Sequence, residues 1–192
     1  FTLAVSQKEY AFTWDKLLFV LLCMIFARSA AMAFNRYIDR DLDTANPRTA
    51  KIREIPNGTI KAGSALRFVI VNCILFIVSS YLLNPLCFLL SPIALLVILG
   101  YSYTKRFTAL CHLILGLGLS LSPIGAYLAV TAQLDIIPLL FSCIVLFWVS
   151  GFDIIYALQD ENFDKQFNLH SIPVLLGQKN ALHFSRLMHI IV

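Results

Sequence analysis

Three long stretches of this sequence contain no charged side chain, and they limit the possible folds more than any other feature. None of Asp, Glu, Lys or Arg occurs from Phe68 to Thr104, from Phe107 to Leu134 or from Ile136 to Phe152. The hydrocarbon core of a bilayer requires about 20 mostly apolar residues for each spanning helix. Because the backbone must satisfy its own hydrogen bonds in lipid, such runs form helices. We therefore predict an all-α, polytopic transmembrane helix bundle.

The spans are located by the points at which apolar runs meet charged residues, glycine or proline. They are predicted at about 14–34, 62–83, 86–103, 110–130 and 136–158, with another starting near residue 181. We expect one domain over residues 1–192, truncated at both ends, because the sequence starts without Met and stops inside an apolar segment. Gly116, Gly118 and Gly125 in the fourth span permit close helix contact.

Lysine and arginine are distributed unevenly between the two sides of the membrane. If the spans alternate in direction, twelve of the fifteen basic residues fall on the side reached by the first, third and fifth spans. The positive-inside rule places that side in the cytoplasm. We therefore expect an integral membrane protein surrounded by lipid, in a bacterial inner membrane, with no nucleic-acid partner. Its oligomeric state stays open.

The first cluster of oxygen-bearing side chains follows the first span. Asn35, Asp39 and Asp43 are spaced four residues apart, so a helix would place all three on one face. Carboxylate and amide oxygens are hard ligands, which suit Mg²⁺ held partly by protein and partly by substrate phosphate. Asp41 lies off this face, and we expect it to be solvated or paired with an arginine.

A second cluster lies at the end of the fifth span and contains Asp153, Tyr156, Asp160 and Asp164, whose spacing again predicts one helical face. Carboxylates aligned in this way repel one another unless cations intervene. Either cluster alone could be a solvated helix end. Two clusters in register, on the same predicted side, favour a site in which Mg²⁺ ions bridge a diphosphate.

At these residues the sequence resembles the UbiA prenyltransferase superfamily. Asn35, Asp39 and Asp43 match the spacing of its first signature, and the second cluster matches its second signature. The likeness extends from Arg28 to Gly177. Two departures stand out: the family often has Asp where this chain has Arg36, and Arg53 lies one position beyond the usual arginine.

The resemblance implies Mg²⁺-dependent transfer of a polyprenyl group from its diphosphate to an aromatic acceptor. That acceptor would be 4-hydroxybenzoate or a related hydroxylated aromatic acid, in ubiquinone or menaquinone biosynthesis. The implied catalytic residues are Asp39, Asp43, Asp160 and Asp164, and the same four carboxylates, with Asn35 and Asp153, would bind metal. The implied substrate-binding residues are Arg28, Arg48, Arg53, Tyr101, Lys105, Arg106 and Tyr156.

A membrane cation transporter is the alternative, because carboxylates within spans can also line an ion pathway. The predicted positions argue against it, since the acids gather at one side and do not cross the midplane. Arginines also accompany them, and these suit an anionic ligand with metal better than a bare cation. A scaffold without chemistry would predict that alanine at Asp39 or Asp160 changes no activity.

Overall fold

Helices form all the regular structure in the part of the chain that the computed structural model describes, residues 1–6, 10 and 12–192. The α-helices are α1 (Thr2–Val5), α2 (Trp14–Ile38), α3 (Arg40–Ala45), α4 (Ala62–Leu83), α5 (Pro85–Thr104), α6 (Cys111–Thr131), α7 (Ile136–Ala157), α8 (Glu161–Gln166) and α9 (Ile172–Ile190). Five of these regions, beginning with α2, α4, α5, α6 and α7, are long and apolar enough to cross a membrane. The all-α, polytopic prediction is confirmed.

The chain divides into two compact units, which are described separately. One unit contains Thr2–Ser102, and the other contains Tyr103–Val192 together with Phe1. In the unit Thr2–Ser102, α2 packs along α4. Residues with buried side chains recur along α4 every three or four positions, from Ala65 through Val69 to Phe76, as expected for a helix that buries one stripe.

Small and weakly polar side chains lie between α2 and α4. The Cys23 Sγ and Ser80 Oγ atoms are 3.6 Å apart across this interface. The Ser80 hydroxyl also donates to the Phe76 carbonyl oxygen within α4, at 2.8 Å. Small residues let membrane helices approach closely, and local hydrogen bonds satisfy their polar atoms where no water is present.

In the unit Tyr103–Val192, α6 packs against α7 at a glycine. A Cβ atom built on Gly116 would lie 2.6 Å from the Leu146 carbonyl oxygen and closer still to the Ser150 Oγ atom. The helices therefore approach until only a hydrogen atom fits between them. The prediction that Gly116 permits close contact is confirmed, whereas a Cβ on Gly125 would meet no atom within 4 Å.

Replacing Gly116 with alanine should lower the stability of the protein. Backbone cannot move aside as a flexible side chain does, so the extra methyl group must separate α6 from α7. Overpacking of this kind costs about 1–3 kcal/mol. The measurement is the thermal unfolding midpoint in detergent, with Gly125→Ala in the same helix as control. Equal midpoints for the two variants would contradict the described packing.

The last helix, α9, starts before the predicted start of the last span. It begins at Ile172 rather than near Ala181, because Ser171 caps it by accepting a hydrogen bond from the Val174 N–H at 3.4 Å. It is also broken at Gly177, whose φ of 74° lies in the region that favours glycine. Beyond this break α9 packs on α7, where the Ser185 hydroxyl donates to the Gly151 carbonyl oxygen at 2.7 Å.

The start of α7 is fixed by Asp135. Its carboxylate accepts hydrogen bonds from the Ile137 backbone N–H and the Tyr127 hydroxyl, each at 3.1 Å. These two donors hold the pKa of Asp135 below its usual value, the backbone donor contributing most. Capping of this kind satisfies one of the free N–H groups at a helix start. It sets the register of the helix that carries the second carboxylate cluster at its other end.

Candidate functional site

The first cluster lies where α2 turns into α3, in the unit Thr2–Ser102. Asp39 separates the two helices, yet the four-residue repeat of backbone hydrogen bonds continues through it: Asp39 donates to Asn35 at 2.9 Å and Asp43 to Asp39 at 2.7 Å. The Asn35 Nδ2 atom donates to the Asp39 Oδ2 atom at 3.0 Å. The Asp39 side chain is buried. The Asn35 and Asp39 side chains thus lie next to each other, as their spacing predicts.

Arg36, which stands where the family often has Asp, ties the first cluster to the following loop. Its Nη1 atom donates to the Asn35 Oδ1 atom at 3.4 Å, and its Nε atom lies 3.8 Å from the Glu54 Oε2 atom. A cation therefore adjoins the amide of Asn35. Asp41 points away from the cluster, is 85% exposed and lies 3.7 Å from the Arg40 Nε atom. The expectation for Asp41 is confirmed.

The loop from 46 to 61 holds two of the predicted substrate-binding arginines. The Thr49 hydroxyl donates to the Asp43 carbonyl oxygen at 2.9 Å, which anchors the loop to α3. Arg48 is half-buried, and its backbone N–H donates to the Asn46 side chain at 3.0 Å. The Arg53 Nη1 atom is buried and has no hydrogen-bond partner within the described residues. A buried guanidinium N–H group without an acceptor is a ready donor to an anion.

The second cluster does not lie on one regular α-helix, so that part of the prediction is wrong. In the unit Tyr103–Val192, α7 ends at Ala157 and a 3₁₀ turn, Leu158–Asp160, precedes α8. Three residues per turn replace 3.6 there, which changes the angle between Asp153 and the later acids. Asp153 and Asp160 are half-buried, Asp164 is buried, and Tyr156 is exposed.

His112, which was not among the predicted site residues, is hydrogen-bonded to Asp153. The His112 Nδ1 atom lies 2.7 Å from the Asp153 Oδ2 atom, and the Ile172 backbone N–H donates to the His112 Nε2 atom at 3.3 Å. Only 4% of the His112 side chain is exposed. A lone polar ring at the start of an apolar helix was the available signal, because buried polar groups are hydrogen-bonded.

Asp164 and Lys105 lie near the same end of α9. The Asp164 carboxylate accepts a hydrogen bond from the Ser171 side chain. It also lies close enough to Lys105 and Asp160 to interact electrostatically with both. The loop after α5 reaches this region because the His170 backbone N–H donates to the Lys105 carbonyl oxygen at 2.7 Å. The fold therefore brings Lys105 close to Asp160 and Asp164, although α6 and α7 lie between them in the sequence.

The remaining predicted substrate-binding residues differ in exposure. Arg28 lies near the middle of α2 and is exposed, with no ion pair to any described residue. Tyr101, near the end of α5, is half-buried, and Arg106 is exposed and stacks 5.9 Å from the Tyr103 ring centroid. An arginine at the centre of an apolar helix is costly in lipid and normally faces a polar group.

The oxygen-bearing side chains suit Mg²⁺ bound together with a substrate, but they do not form a complete metal site by themselves. No three His, Cys, Asp or Glu side chains converge as a metal site within residues 1–6, 10 and 12–192. Mg²⁺ is usually bound by one or two carboxylates plus phosphate oxygens and water. The stacked Asn35 and Asp39 and the acids around Asp160 are of the right chemical type for this mode of binding.

Comparison of sequences assigns the chain to a known group. The profile of the UbiA prenyltransferase family matches residues 1–192. A 4-hydroxybenzoate octaprenyltransferase from Aliivibrio fischeri (strain MJ11) is 32% identical over 167 residues, covering 86% of this chain and 57% of that protein. The enzyme of the same name from Tolumonas auensis is 33% identical, covering 83% of this chain and 56% of that protein. The chain thus spans little more than half the length of these relatives.

Solved structures show the same fold. A UbiA homolog from Aeropyrum pernix K1, in its apo form, has a TM-score of 0.89 and 35% identity, covering 98% of this chain and 71% of that chain. A UbiA homolog from Archaeoglobus fulgidus, bound to GPP and Mg²⁺, has a TM-score of 0.77 and 21% identity, covering 93% of this chain and 64% of that chain. The likeness to the former extends over nearly the whole chain.

Proposed function

The chain belongs to the UbiA prenyltransferase family, and on that premise we propose that it transfers a polyprenyl group from a polyprenyl diphosphate to an aromatic acceptor. The observation that carries this proposal is the family match over residues 1–192. Each carboxylate cluster lies at the carboxyl end of a long apolar helix, α2 or α7. Carboxylates in that position, accompanied by arginine or lysine, suit a metal ion and an anion together.

The donor in this proposal is a prenyl diphosphate bound with Mg²⁺. The Archaeoglobus fulgidus homologs are described as bound to DMAPP or GPP, in each case with Mg²⁺. When bound, Mg²⁺ would neutralise charge on the departing diphosphate. Asn35, Asp39 and Asp43 would bind metal in one unit of the chain, and Asp153, Asp160 and Asp164 in the other.

The basic side chains would stabilise the charge that accumulates on the leaving diphosphate. Arg53 supports this role because its buried Nη1 atom has no hydrogen-bond acceptor among the described residues and can donate to a diphosphate oxygen. Lys105 supports it because its charge acts on Asp164, so it lies beside a proposed metal ligand. Fixed donors in a dry site stabilise developing charge more than water does. Arg48 and Tyr101 in one unit of the chain, and Arg106 and Tyr156 in the other, are proposed to bind substrate.

The acceptor that we propose is an aromatic acid such as 4-hydroxybenzoate, within ubiquinone or menaquinone biosynthesis. The names of the Aliivibrio and Tolumonas relatives support this choice. Arg28 would bind the acid, because an arginine in the middle of α2 needs an anionic or polar neighbour. Apolar helix walls would exclude water from the allylic cation that ionisation leaves. The distribution of basic residues supports a cytoplasmic site in a bacterial inner membrane.

Prenyl transfer should be detectable in membranes from cells that express the complete gene. With geranyl diphosphate, 4-hydroxybenzoate and Mg²⁺, we expect geranylated product by mass spectrometry. EDTA should abolish product formation, and added Mg²⁺ should restore it, because ionisation of the diphosphate depends on the metal.

Two outcomes would contradict the proposal in different ways. Full activity in EDTA would remove the role of the metal. Absence of product with all prenyl donors and aromatic acids tested, combined with cation flux in proteoliposomes, would favour the transporter. Membranes from cells that carry the empty vector provide the background.

A further inference from the structure

Both ring nitrogens of His112 are occupied by protein partners. A backbone N–H can only donate, so the Ile172 N–H at 3.3 Å requires the Nε2 atom to be an acceptor. The Nδ1 atom then carries the proton and donates it to the Asp153 carboxylate at 2.7 Å. This arrangement fixes one tautomer of the ring and leaves neither nitrogen for a metal ion.

A second carboxylate of the cluster, Asp164, is also hydrogen-bonded to the start of α9. Ser171, which immediately precedes Ile172, donates its hydroxyl proton to the Asp164 carboxylate and accepts a hydrogen bond from the Val174 N–H at 3.4 Å. Two consecutive residues at the start of α9 are therefore linked to both ends of the second cluster. Ser171 bonds to Asp164 directly, and Ile172 bonds to His112, which bonds to Asp153. Ser171 and Ile172 are both buried, so these bonds are shielded from water.

We propose that His112 is a positioning residue: it orients Asp153 for metal binding and fixes that carboxylate to the start of α9. The inference rests on the proposed function, in which Asp153 is a metal ligand. The contact between His112 and Asp153 matters because a 3₁₀ turn follows Ala157. The regular helix therefore does not fix the angle between Asp153 and the later acids. About 30% of the Asp153 side chain is exposed, which leaves part of the carboxylate accessible.

Hydrogen-bonding partners of metal ligands typically control metal affinity by about 10–100-fold. His112→Leu keeps much of the side-chain volume and removes both hydrogen bonds. We therefore expect the affinity for Mn²⁺, used as a spectroscopic substitute for Mg²⁺, to fall by about 10–100-fold in the presence of geranyl diphosphate. His112→Gln retains one amide donor and one acceptor, so it should recover most of that loss.

Mn²⁺ binding is measured by electron paramagnetic resonance on the detergent-purified product of the complete gene. The matched control is His183→Gln on α9, because His183 is exposed and its Nδ1 atom lies 2.7 Å from the nearby Lys179 carbonyl oxygen. The control should bind Mn²⁺ as the wild type does. If the leucine protein does not fold, His112→Met, which also cannot donate to Asp153, takes its place.

The double variant with Asp153→Asn separates positioning from general stability. If His112 acts through Asp153, His112→Leu should weaken Mn²⁺ binding much less in the Asp153→Asn background than in the wild type. A lower unfolding midpoint with unchanged Mn²⁺ affinity in His112→Leu would overturn the inference and leave a purely structural contact. Absence of Mn²⁺ binding in the wild type would instead overturn the proposed function.

Discussion

Replacing Asp39 with alanine should lower the rate of prenyl transfer by about a hundredfold or more. Metal ions that neutralise a leaving diphosphate contribute several kcal/mol, and each 1.4 kcal/mol corresponds to about tenfold in rate. Asp39 is buried in the turn between α2 and α3 and receives the Asn35 amide at 3.0 Å, so its carboxylate is held in place before any substrate binds. Its removal would also leave Asn35 without this partner.

The control for Asp39→Ala is Asp41→Ala, two residues further along the chain. Asp41 is 85% exposed and pairs only loosely with Arg40, at 3.7 Å. Exposed pairs of this kind contribute little to stability. Both variants remove one negative charge from the same helix end, so a difference in rate between them reports the position of the carboxylate.

The measurement is initial rate against Mg²⁺ concentration, in membranes with equal amounts of each protein. Asp39→Ala should require more Mg²⁺ and should remain slower at saturation. If Asp39→Ala and Asp41→Ala gave equal rates at all Mg²⁺ concentrations, the first cluster would have no role in binding metal.

The long helices could be predicted from the sequence because a single strong effect locates them. Charged residues are costly in lipid, so the charge-free runs delimit the spans. Predicted span 62–83 coincides with α4, and 136–158 ends one residue beyond α7. The first span was predicted four residues short, because Asn35 and Arg36 are polar yet remain helical at the end of α2.

The stacking of Asn35 and Asp39 could also be predicted, since helical hydrogen bonds continue through Asp39. The 3₁₀ turn after Ala157 could not, because Leu158, Gln159 and Asp160 are all compatible with an α-helix in isolation. In the folded chain, α8 and the start of α9 are held by contacts from Asp164 to Ser171 and from His170 to Lys105, which the sequence does not reveal. Long-range contacts of this kind override local propensity.

His112 shows the same limit for the site. Its two partners, Asp153 and Ile172, are 41 and 60 residues away in the sequence, so no spacing rule connects them. Only the packing of α6, α7 and α9 brings them together. The helical residues from Ile172 to the break at Gly177 were likewise not predicted, because the last span was predicted to start only near residue 181.

Asp160→Asn should lower prenyl transfer on the order of a hundredfold, because the amide removes a charged metal ligand. Asp160 lies close enough to Asp164 for the two charges to repel, and a divalent cation bound to both would relieve that repulsion. The variant should therefore keep its fold while losing Mg²⁺ affinity. Asp135→Asn is the matched control, since Asn caps a helix about as well as Asp and lies at the opposite end of α7.

The two variants differ in their expected rates. Asparagine has the shape of aspartate, so Asp160→Asn should still fold when no metal is present, although the rate falls. Asp135→Asn should retain the rate of the wild type. A stable Asp160→Asn protein with wild-type activity and Mg²⁺ dependence would contradict metal binding by this residue. A lowered midpoint together with a lowered rate would instead assign Asp160 a role in folding.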